Sequence, residues 1–321
     1  MALMARLVDS KMSIAENFRR TRETRTRWLQ LEGCGLSEIP EEVFELTTLE
    51  YIGLSGNALK SIPERLWDLP NLRSVNVTEN PIETLPDRAE LIVDVPIYLR
   101  CRSQFNAKNI RLHIGVDTSQ EDANTLAAEL RGDTGPRDLT IGKWELTIGV
   151  KHPEPGPAIR KLLESLSNFD FLESLSLRCL RLGTVPEGIR QLRRLKHLGL
   201  HALGLRNLPD WIGQLELESL TAYDNKLSAV PDSFRKLGHL KYLDLSYNPL
   251  QQIPEAIFDL ASLERLEMSK CDIHEVPADV LRLHRLESFD LGGNPIESPP
   301  AEVAAKGLDA IRDYWRQRAD T

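Results

Sequence analysis

Tyr223, Tyr242 and Tyr247 stand in one short stretch, with Asp224 and Asp244 beside them and His197, His201, Arg265 and Glu267 close before and after. A phenol buries a large apolar ring while its hydroxyl keeps a polar partner, so tyrosines among charges suit non-covalent recognition of a protein or peptide. Trp28 and Tyr51 repeat the theme on a smaller scale near the start. Asp224, Asp244, Glu267 and Asp290 add a line of carboxylates, which favours a partner with basic residues and speeds its association. His197 and His201 are candidates for making that association pH-sensitive.

Bond-making chemistry finds no such constellation. IGKW at 141–144 holds the Gly-Lys of a phosphate loop, but Arg137 stands where the preceding glycine belongs and Trp144 replaces the Ser or Thr. His274 and Glu275 open an HE pair that Pro277 and Ala278 break. Cys34, Cys101, Cys179 and Cys271 lie far apart, with neither zinc-site spacing nor a disulfide framework, so reduced thiols and no metal or cofactor are expected. A net charge of −8 argues against phosphate-backbone binding and hence against nucleic acid. The run Arg19, Arg20, Arg22, Arg25 and Arg27 reads as a solvated helix face. No run reaches the roughly 18 apolar residues of a membrane span. A cytoplasmic, membrane-free protein is expected, with delivery as a secreted effector the alternative destination; oligomeric state is left open.

The elements that position these residues come from a repeat. TRWLQLEGCGLSEIP (from Thr26), LEYIGLSGNALKSIP (Leu49) and LRSVNVTENPIETLP (Leu72) share one template, LxxLxLxxNxLxxLP. Six more units follow it, from Leu172, Leu195, Leu217, Leu240, Leu263 and Leu286. Alternating leucines point inward from a short strand, and the third, fifth, seventh and eighth positions are expected to point outward. On that reading the three tyrosines fall within roughly 10 Å, two strand spacings. Asn57, Asn80, Asn225, Asn248 and Asn294 hold the ninth position, where an amide can satisfy turn backbone groups, and Cys34 and Cys271 replace it as buried residues. After each proline a PxxΦxxL segment turns an apolar face to the core, as a short helical or 3-10 piece.

The expected organisation is an N-terminal capping helix over 1–25, repeats over 26–94, an irregular α/β segment over 95–171, six repeats over 172–300, and a capping helix over 301–321. Ser13 and Glu16 form a capping box for the first helix, and Leu308, Ile311 and Trp315 share one face of the last. In the irregular segment, strands are expected at VPIYLRC (95–101), 109–116, 138–141 and 144–150, and helices at 119–132 and 157–169. Degenerate longer repeats are favoured there, and a separate α/β insertion is the alternative.

The template resembles the leucine-rich-repeat superfamily, and its PxxΦxxL segments look like the typical and Ras-group branches. The resemblance implies an α/β solenoid, curved, with a parallel sheet on its concave face. The end from Asn294 to Trp315 is similar to the C-terminal cap of plant intracellular Ras-group repeat proteins and of the repeats before the GTPase of Roco proteins. Two functions follow as expectations: a non-enzymatic interaction scaffold, or the sensing and autoinhibitory part of a larger enzyme, a Roco-like GTPase or a bacterial effector. Ubiquitin-ligase effectors with such repeats carry Cys-x-Asp, and none of the four cysteines here has Asp two residues on.

Overall fold

Leucines at every second position make each LxL piece a strand that cannot bury its own apolar face, so neighbouring units stack to do it. The computed structural model describes residues 14–24, 26–85, 91–101, 110–114, 118–129, 138–142 and 154–319. Ser13, Arg25, the side chain of Cys101, and the strand expected at 144–150 lie outside them. The chain forms two compact units, residues 1–113 and 114–321.

In the first unit, helix α1 (Ile14–Thr24) buries Phe18 and Thr21. Strands β1 (Trp28–Gln30), β2 (Tyr51–Gly53) and β3 (Ser74–Asn76) run parallel, with Trp28 beside Tyr51 and Tyr51 beside Ser74. Strand β4 (Leu91–Asp94) pairs with β3, helix α2 (Val95–Cys101) follows, and β5 (Ile110–Ile114) pairs with β4. VPIYLRC is therefore a helix, and the strand expected there lies one stretch earlier, in Leu91–Asp94. Asp94 Oδ1 accepts the Ile97 N–H at 3.0 Å, a side-chain cap that starts a helix, and Pro96 is tolerated in a first turn.

In the second unit come α3 (Gln120–Glu129), β6 (Asp138–Gly142) and α4 (Pro157–Glu164). Six strands follow at repeat spacing: β7 (Ser174–Arg178), β8 (His197–His201), β9 (Ser219–Thr221), β10 (Tyr242–Asp244), β11 (Arg265–Glu267) and β12 (Ser288–Asp290). Each from β6 to β11 pairs in parallel with its successor. Helices α5 (Ala301–Ala304) and α6 (Leu308–Ala319) close the unit.

Each PxxΦxxL segment forms one five-residue 3-10 turn with its proline, extended, at the N-cap, for example Pro254 before Glu255–Asp259. Five residues are too few to repay α-helix nucleation, and the tighter turn already buries the apolar Φ residue: Val43, Leu66, Ile189, Ile212, Phe234, Ile257 and Val280 are fully covered. Leu240, Leu243 and Leu245 have no exposed surface, and burial of each contributes about 1.5–3 kcal/mol.

The asparagines tie repeat to repeat. Asn225 Nδ2 donates to Leu200 O at 2.7 Å and Ala222 O at 2.9 Å, while its Oδ1 accepts the Leu203 and Leu205 N–H groups. Cys271 is buried as expected and gives its thiol to Leu245 O at 3.2 Å; burial pushes that thiol up to about 11. Cys34 is only half-buried, a departure from the expected burial. Ion pairs one repeat apart add register: Arg22–Glu45 at 2.8 Å, Arg27–Glu50 at 2.9 Å, Lys241–Glu218 at 3.0 Å, and Asp259 with both Arg235 and Arg282.

At the C-terminal end Ile311 is 1% exposed, Trp315 Nε1 donates to Val276 O at 2.9 Å, and Arg312 donates to Leu283 O and Leu286 O. Trp315→Ala should therefore lower stability by about 2–3 kcal/mol, by cavity formation and the lost partner of a carbonyl. Thermal unfolding measures it, and an unchanged midpoint would show that α6 is no cap.

Candidate interaction face

The register of the second unit lays the outward residues in two rows. One reads Ser174, His197, Ser219, Tyr242, Arg265, Ser288; the other reads Ser176, Gly199, Thr221, Asp244, Glu267, Asp290. At the ends of β7 and β8, the seventh positions bring Arg178 and His201 side by side, with Tyr223 against His201.

The eighth position is a corner rather than a strand position. In all nine repeats its φ is positive: Gly33, Gly56, Glu79, Cys179, Ala202, Asp224, Tyr247, Lys270 and Gly293 lie between 53° and 73°. This left-handed conformation suits glycine and is tolerated by Asp, but it strains larger side chains. The glycines at Gly33, Gly56 and Gly293, each immediately before the ninth position, are the sequence signal of that corner.

The tyrosines occupy the third, seventh and eighth positions, and no ring contact joins them. Each takes a different polar neighbour. The Tyr223 ring meets His201 edge-on at 5.0 Å, Arg265 sits 5.6 Å above Tyr242, and the Lys270 ammonium lies 4.9 Å above Tyr247. All three tyrosines are half-buried, whereas His197 is exposed. In the first unit, Trp28 is 44% exposed beside the half-buried Tyr51.

Two carboxylates are far less open than strand alternation suggests. Asp244 is 6% and Glu267 7% exposed, since side chains of strands 4.7–4.9 Å apart cover one another. Arg265 pairs with Glu267 at 2.8 Å, and Asp244 Oδ1 accepts the Ser246 N–H at 2.9 Å. Burial raises Asp244 to about 6; the Ser246 hydrogen bonds oppose the shift, and Glu267 and Asp290 add to it. Burial likewise pushes Tyr223 up to about 12 and raises Tyr242, whose neighbours Asp244 and Glu267 work in the same direction.

His201 corrects an expectation. Burial, then the charge of Arg178, lowers it to about 3, so it stays neutral and is no pH switch in the physiological range. Its Nε2 contacts the Thr221 hydroxyl at 3.1 Å, and its Nδ1 is buried with no hydrogen-bond partner. The Tyr242 hydroxyl is buried too and reaches no partner at hydrogen-bonding geometry, Glu267 being a near neighbour. Arg178 was absent from the expected set, although its seventh-position placement was readable in LESLSLRC. Among the described residues no group of three or more His, Cys, Asp or Glu could hold a metal ion, and no helix is long and apolar enough to cross a membrane.

Stacked strand–turn units with a side-chain-covered sheet face define a repeat solenoid protein. The family model described as leucine rich repeat matches residues 24–82 and 216–273, one stretch in each unit, and those two stretches are leucine-rich repeats. The match does not reach the Ras-group subtype. No curated protein matches the chain significantly. Among solved structures, a leucine-rich-repeat protein of Leptospira interrogans is 22% identical, over 91% of this chain and 72% of that one, with a TM-score of 0.47. An internalin of Listeria monocytogenes is 19% identical, over 87% and 81%, at 0.41. The leucine-rich-repeat domain of a type III effector is 20% identical, over 92% and 78%, at 0.40.

Proposed function

We propose that this protein is a non-enzymatic interaction module, and that the sheet face of the second unit holds a protein or peptide partner. The contact residues would be Tyr223, Tyr242 and Tyr247, with basic side chains of the partner near Asp244, Glu267 and Asp290. The observation behind this reading is that three half-buried phenols in two adjacent repeats make no ring contact with each other and each lies against a polar or charged side chain. Aromatic rings that only closed a structural gap would pack against one another as cross-strand pairs.

The test is affinity capture from native lysate with the wild type and the Tyr242→Ala, Tyr247→Ala double variant. Central aromatic anchors are worth about 2 kcal/mol or more each, so the double variant should bind on the order of a thousandfold more weakly where the two losses add. Undiminished capture by a folded double variant would remove the site from this face. Tyr242→Phe separates the roles of ring and hydroxyl, because it deletes only a polar tip that reaches no partner at hydrogen-bonding geometry.

A further inference from the structure

The charges on this face are unevenly placed. Asp244, Glu267 and Asp290 follow one another across β10, β11 and β12, and Arg265 neutralises only Glu267. Asp290 is exposed, its Oδ1 holding the Gly292 N–H at 2.8 Å. Lys270 lies three residues beyond Glu267, at the corner of the same repeat, which is roughly 10 Å along the strand direction. It is exposed, its stem runs across Gly293, and its ammonium rests on the Tyr247 ring without an ion pair among the described residues.

Three acids in one line and a cation at the adjoining corner form a dipole, with the Tyr247 ring against its cationic end. Lys270 and Tyr247 keep long side chains at a backbone position that is glycine in three other repeats.

Resting on the interaction reading above, we propose that the occupant of this face is a dipolar peptide segment. It sets a lysine or arginine against Asp244 and Asp290 and an aspartate or glutamate against Lys270, so that charge order fixes which way it lies. Electrostatic complementarity of this kind selects partner and register more than it adds affinity. A purely basic segment would satisfy the carboxylates but meet Lys270 with like charge. A purely acidic one would fail at the carboxylate line.

The experiment is selection from a random twelve-residue peptide library displayed on phage. The targets are the purified full chain and its Lys270→Gln, Asp290→Asn and Tyr242→Ala variants, each checked for folding by thermal unfolding. Peptides selected on the wild type should carry both a basic and an acidic residue. On Lys270→Gln the acidic preference should vanish while the basic one remains, and a dipolar peptide should bind that variant about two- to fivefold more weakly, as for an exposed ion pair. Asp290→Asn should diminish the basic preference instead.

Wild-type selections that are wholly basic or wholly apolar would overturn the proposal, as would an acidic preference that survives Lys270→Gln. Peptides of any charge that bind Tyr242→Ala as tightly as the wild type would overturn the underlying interaction reading itself. Loss of binding in Tyr242→Ala without charge selection would overturn the dipole alone.

Discussion

Asn248→Ala is expected to destabilise the second unit by about 3–5 kcal/mol. Asn248 is 1% exposed. Its Oδ1 accepts the Leu227 N–H at 3.0 Å, and its Nδ2 donates to Leu245 O at 2.8 Å and Ala222 O at 3.0 Å. Alanine strands three backbone groups in a dry interior, at about 1–3 kcal/mol each before relaxation. Cys271 supplies the control, because its thiol does one part of the same work. Asn248→Cys should therefore fall between wild type and alanine. Urea unfolding followed by circular dichroism gives the three midpoints. A repeat array loses stability locally, so the alanine variant should also broaden or split the transition. An alanine variant within about 1 kcal/mol of wild type would mean that water or backbone movement replaces the amide.

The sequence carried the template because each of its positions has one physical task repeated many times. Leucine period, ninth-position amide and turn-opening proline all reappear in the structure as expected. VPIYLRC was misread because its apolar residues fit a strand as well as a helix, and a single cap from Asp94 decides the matter. The left-handed corner was obscured because only three of nine repeats spell it with glycine. Burial of Asp244, Glu267 and His201 is not a property of any one strand. It arises where side chains from adjacent repeats cover each other, and a period of two gives only their direction. The same limit applies to the tyrosines, whose ring neighbours His201, Arg265 and Lys270 come from adjacent repeats.

Asp244 joins the stability of the fold to its proposed role. Its folded value, about 6, lies above the roughly 3.9 of an unfolded aspartate, so folding favours the protonated acid. The stability this confers is complete below about pH 4 and disappears as the pH rises through 6. At pH 7.5 the buried charge then costs about 2–3 kcal/mol, two pH units at roughly 1.4 kcal/mol each. Asn at this position keeps the oxygen that accepts the Ser246 N–H and removes the charge. Asp244→Asn should therefore be more stable than wild type by about 1–3 kcal/mol at pH 7.5, with the difference roughly halved at pH 5 and nearly gone at pH 4. Urea midpoints at the three values test this directly, and a variant that is less stable at pH 7.5, or a difference independent of pH, would contradict it. If the carboxylate is retained for a basic partner, the more stable variant should be the weaker binder, by tenfold or more on the scale of truncated buried charge pairs. Such an inversion of stability and affinity is the behaviour of a recognition residue, whereas a residue kept for packing would lose both together.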